Sequence, residues 1–63
     1  MGLYYEFRER SWEMCFEGTS DDKPTEKELK AKAEEKGYKL EDIDIFYDDM
    51  TQVWRFCADL VKN

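Results

Sequence analysis

Two thiols, Cys15 and Cys57, two hydroxyls, Ser11 and Ser20, and a run of carboxylates from Glu41 to Asp49 are the side chains of this 63-residue chain best suited to chemistry. A serine or cysteine nucleophile needs a neighbouring base, most often histidine, and the chain has no histidine. Strand cysteines set beside Trp and Phe are inert packing residues. Glu41, Asp42, Asp44, Asp48 and Asp49 offer oxygen ligands to a hard cation such as calcium. Their spacing departs from the Asp-x-Asp-x-Asp-Gly calcium loop, and a solvated strand edge and turn accounts for them. No catalytic residue, metal ligand or cofactor is expected, and the chain reads as a non-enzyme.

Length and charge narrow the classes further. A chain of this size buries only about 60% of the surface its unfolded form exposes, so one small domain over residues 1–63 is expected. Sixteen acidic against ten basic residues give a net charge of −6, which opposes the phosphate attraction behind most nucleic-acid binding. No segment approaches the roughly 18 apolar residues of a membrane span. Two cysteines without a secretory context read as reduced thiols in the cytoplasm. A soluble, cytoplasmic protein that binds neither nucleic acid nor membrane is the expectation.

The elements that would position these residues follow from pattern. Residues 43–60 echo residues 1–18 at a shift of 42, placing Tyr4 over Phe46, Tyr5 over Tyr47, Glu6 over Asp48, Trp12 over Trp54, Met14 over Phe56 and Cys15 over Cys57. Leu3–Phe7 and Trp12–Phe16 alternate as two strands joined through Arg8–Ser11, followed by a polar break over Gly18–Asp22. Thr25 and Glu28 form a capping box that opens a helix over residues 26–36, and Gly37 ends it. Leu29, Ala31, Ala33 and the stem of Lys36 are its thin apolar stripe. Leu40–Tyr47 alternates as a third strand.

Residues 50–61 fit two periods. As a helix capped by Asp49 they align Met50, Val53, Trp54, Cys57, Leu60 and Val61, which would make the order ββαβα. As a hairpin arm they send Trp54, Phe56 and Ala58 inward and Val53, Arg55 and Cys57 outward. The strand-forming run Val53–Cys57 and the echo of the first unit favour the hairpin.

Residues 47–56, Tyr-Asp-Asp-Met-Thr-Gln-Val-Trp-Arg-Phe, resemble the second hairpin of the immunoglobulin-binding domain of streptococcal protein G, and the preceding helix is similar in length and in its closing glycine. The resemblance covers about thirty residues and implies a four-stranded sheet crossed by one helix, in the order ββαββ. It implies nothing about antibody binding. The expected class is therefore α+β, with a core of Tyr5, Phe7, Trp12, Met14, Leu29, Ala33, Ile43, Ile45, Tyr47, Trp54 and Phe56.

One helix can cover only one face of such a sheet, and the other meets water or a partner. The expected partner-binding residues there are Tyr4, Phe46, Val53, Arg55 and Cys57, among Glu6, Arg8, Cys15 and Asp44. The functional expectation is a small acidic module that binds a protein partner or itself. The size and charge also resemble those of short accessory proteins of phages and conjugative elements. A second expectation is mimicry of a nucleic-acid backbone by the carboxylates, which would block a DNA- or RNA-binding enzyme.

Overall fold

Among the described residues four strands and one helix appear in the order β1 (Leu3–Glu9), β2 (Met14–Ser20), α1 (Glu26–Glu34), β3 (Tyr38–Asp48) and β4 (Val53–Lys62). The computed structural model describes residues 2–62, so both terminal residues of the expected 1–63 domain lie outside it. The fold is α+β, ββαββ, and β4 replaces the alternative helix over residues 50–61.

The sheet order is β1-β2-β4-β3, and every neighbouring pair is antiparallel. β2 and β3 therefore run parallel with β4 between them. Parallel strands need a long crossover, which the segment containing α1 supplies. The return through a four-residue loop, 49–52, then drops β4 into the gap.

Local chemistry explains each boundary. The Thr25 hydroxyl accepts from the Glu28 N–H at 3.2 Å, while the Glu28 carboxylate accepts from the Thr25 N–H at 3.2 Å. These bonds satisfy two donors that a helix start otherwise leaves unpaired. At the other end Gly37 N–H donates to the Glu34 carbonyl at 2.9 Å, and its φ of 84° turns the chain off the helix axis.

The core lies between α1 and one sheet face, where Phe16, Leu29, Ala33, Tyr38, Leu40, Phe56, Ala58 and Leu60 are buried. Leu3, Tyr5, Phe7, Met14, Ile43 and Ile45 pack around them. Lys32 on α1 and Lys36 in the turn that follows it, where the helix expected to reach residue 36 has already ended at Glu34, place their ammonium groups 5.8 and 5.0 Å from the Tyr5 and Phe7 ring centres. Long cationic stems thus cover aromatic surface that the helix's two buried apolar residues cannot reach.

Phe16, Tyr38, Leu40, Ala58 and Leu60 join the expected core, and Trp12, Tyr47 and Trp54 leave it, Trp54 as a half-buried residue outside the core cluster. Trp12 is 77% exposed because β1 runs on to Glu9 and β2 begins only at Met14, so the connection spans 10–13 instead of Arg8–Ser11 and carries the indole outside the sheet. Tyr47 lies on the helix side but beyond the helix, at 46% exposure, edge-on to Trp54 with ring centres 5.3 Å apart. Gly18, Thr19 and Ser20, expected to break the chain, are the last residues of β2.

Asp42 marks an irregularity. Glu41 pairs with Asp59 and Asp44 with Cys57, so β3 carries one residue more than β4 between them, and Asp42 absorbs it at φ 52°. The bulge reverses the alternation. Tyr38 and Leu40 face the helix before it, and Ile43, Ile45 and Tyr47 do so after it.

Candidate functional site

The face opposite α1 is built in rows across the four strands. One row runs Tyr4, Thr19, Arg55, Phe46, the next Glu6, Glu17, Cys57, Asp44, and the next Arg8, Cys15, Asp59, Glu41. Val53 continues β4 beyond the first row, opposite Asp48. All five expected residues therefore share this face. Tyr4 is 61% exposed and Phe46 46%, Cys57 is exposed, and Val53 and Arg55 are half-buried.

Thr19 is the one small member of the first row. Large rings stand on the two outer strands, and on the inner ones Thr19 with the neighbouring Cys57 forms a low floor, bordered by Arg55, whose Nε is held by Asp48. The outer strands are three spacings apart, about 14 Å. The result is a shallow hollow of about 270 Å³ lined by Tyr4, Glu6, Glu17, Thr19, Phe46 and Arg55, with backbone of Gly18 and Phe56 beneath.

Charge on this face is unbalanced. Strand pairing places Glu6, Glu17, Glu41, Asp44, Asp48 and Asp59 on it against Arg8, Lys39 and Arg55. Both arginines are engaged. The Arg8 guanidinium lies 2.5 Å from Glu17 and 3.5 Å from Glu6, and Arg55 Nε donates to Asp48 Oδ2 at 2.6 Å. The Tyr4 hydroxyl donates to Glu6 at 2.9 Å, and that bond, with the carboxylate's charge, pushes the phenol above its ordinary range. The Arg55 bond, with N–H donors from Met50 and Thr51, holds Asp48 below the usual carboxylate range against some desolvation.

The thiols are tuned away from reactivity. Desolvation, then Asp44, Glu17 and Asp59, push Cys57 above the ordinary thiol range. Desolvation, then Glu13 and Glu17, do the same to Cys15, against a smaller opposing pull from Arg8. An activated cysteine needs the opposite setting, cationic and thiolate-favouring. Among the described residues no three His, Cys, Asp or Glu side chains group to hold a metal ion, and no helix is long and apolar enough to cross a membrane.

Glu17 and Thr19 are the site residues the sequence reading missed. Gly18 reads as a break, which ended the second strand too early. The signal was the alternation Phe16, Gly18, Ser20 against Cys15, Glu17, Thr19, with glycine as the small member of the inner set. No family model, curated protein or solved structure matches the chain. The likeness to protein G accordingly rests on one helix and one hairpin sequence.

Proposed function

We propose that the chain is a small non-catalytic module that binds a partner protein through the open face of its sheet, in the manner of a regulatory or accessory subunit. The observation that carries this reading is the exposed pair Tyr4 and Phe46 standing beside the low floor at Thr19, on a face that no element among the described residues covers. Aromatic and arginine side chains amid paired charges are the composition enriched at interface centres. Free Cys15 and Cys57 suit a reducing compartment, and the cytoplasm is the location proposed. An accessory role in a phage or conjugative element fits the same small acidic form.

A second reading, mimicry of a nucleic-acid backbone, is favoured by the six carboxylates on that face. Photo-crosslinking separates the two. With a benzophenone side chain at Thr19, the module reading expects a discrete cross-linked protein in the host cell that disappears when Tyr4 and Phe46 are both changed to Ser. Capture from Lys27 on the helix but never from Thr19 removes the sheet face from consideration. Mimicry expects a nucleic-acid-binding partner whose capture collapses with salt and with D44N/D48N/D49N, and is indifferent to the rings.

A further inference from the structure

We infer that the hollow between Tyr4 and Phe46 receives an arginine or lysine side chain from a basic segment of the partner protein. This rests on the protein-binding reading above and names the chemistry of what binds. Two aromatic rings border the hollow, and ring faces attract cations by their quadrupole. Directly beside the aromatic row lies the row Glu6, Glu17, Cys57, Asp44, which sets three carboxylates next to the floor.

The cations already present do not neutralise this row. Arg8 is shared between Glu6 and Glu17, and Arg55 is drawn to Asp48 at the loop end. Six carboxylates against three cations leave the face with a surplus of negative charge. Complementarity therefore selects a positive occupant. A second copy is disfavoured, because two such faces would bring like charges together.

Volume points the same way. The hollow of about 270 Å³ is smaller than the roughly 300–1,000 Å³ of small-molecule sites and is open along its length. It suits one side chain anchored by flanking backbone.

Panning a random-peptide library displayed on phage against the immobilised full chain tests this, with the Y4S/F46S chain as counter-target. Both substitutions lie on exposed side chains, and circular dichroism verifies that the variant stays folded. The expected peptides carry Arg or Lys beside an apolar residue. The most enriched one, made synthetically, should bind about tenfold more weakly to Y4S/F46S and to E6Q/E17Q. Neutral or acidic peptides that are lost on Y4S/F46S would overturn the cationic occupant and leave the protein-binding face standing. Peptides indifferent to Y4S/F46S, or no enrichment, would overturn both. A dimer in sedimentation equilibrium that Y4S/F46S abolishes would assign the face to a second copy and overturn the basic partner.

Discussion

Gly18 shows how one residue governs both faces of the sheet. It lies between Tyr5 and Phe56 in a row on the helix side, and a Cβ there would fall 2.7 Å from a Phe56 ring carbon and 2.0 Å from the Tyr4 carbonyl oxygen. The missing side chain lets the Phe56 ring lie over the strand, and it keeps β1 close enough to hold Tyr4 beside the hollow. Gly18→Ala should destabilise the fold by about 1–3 kcal/mol, read from urea unfolding, because overpacking forces backbone and ring apart. Asp48 acts at the same scale through its proton. Its folded-state pKa is depressed, first by Arg55, so the stabilisation is complete above the ordinary Asp pKa of about 3.9 and is lost as pH falls through the lower folded value. Asp48→Asn should flatten that part of the acid limb in thermal midpoints measured from pH 5 to pH 2. An unchanged acid limb would show that the Arg55 pair contributes nothing to folding.

The elements differ in how openly the sequence declares them. α1 was legible because its start and stop are chemical, Thr25 with Glu28 at one end and Gly37 at the other. β4 was ambiguous because Val53, Trp54, Cys57, Leu60 and Val61 satisfy a helical period as well as a strand period, and only pairing on both sides with β2 and β3 decides it. The parity of β1, β4 and the second half of β3 is readable from alternation, so Tyr4, Phe46, Val53, Arg55 and Cys57 are expected on one face, and they share the face opposite α1. The internal echo was a partial guide. The four-residue loops 10–13 and 49–52 lie 39 positions apart, not 42, so Trp12 stands in a loop while Trp54 stands in a strand. The bulge at Asp42 was hidden because an aspartate, not a glycine, occupies the left-handed position. The second hairpin contains a similar strain in Gln52, at φ 58°, whose N–H donates to the Asp48 carbonyl at 2.7 Å. Gln52→Gly should relieve the Cβ penalty and stabilise the hairpin by roughly 0.5–1 kcal/mol, read from a higher urea midpoint with unchanged slope.

Across the whole molecule the charge is divided. Residues 23–37, which carry α1, hold five lysines against four glutamates, a balance of +1, so the rest of the chain carries −7 against the total of −6. The helix segment is close to neutral, and the sheet with its loops holds the negative charge. Two directly opposed pairs on the open face are carboxylate against carboxylate, Glu6 with Glu17 and Glu41 with Asp59. Arg8 bridges the first. Like charges directly opposite on a sheet oppose folding, so the arrangement spends stability to keep the face acidic. Asp59→Lys converts the second pair to an attractive one and should raise the thermal midpoint by roughly 2–5 °C at low salt. The gain should shrink as sodium chloride is added, since screening weakens repulsion in the parent and attraction in the variant. If the more stable variant also binds basic peptides less well, the acidic face is maintained for recognition at a cost to folding, a trade characteristic of functional surfaces. If Asp59→Lys leaves the midpoint unchanged at every salt concentration, the Glu41–Asp59 pair is too well solvated to oppose folding, and its place on that face signifies nothing about binding.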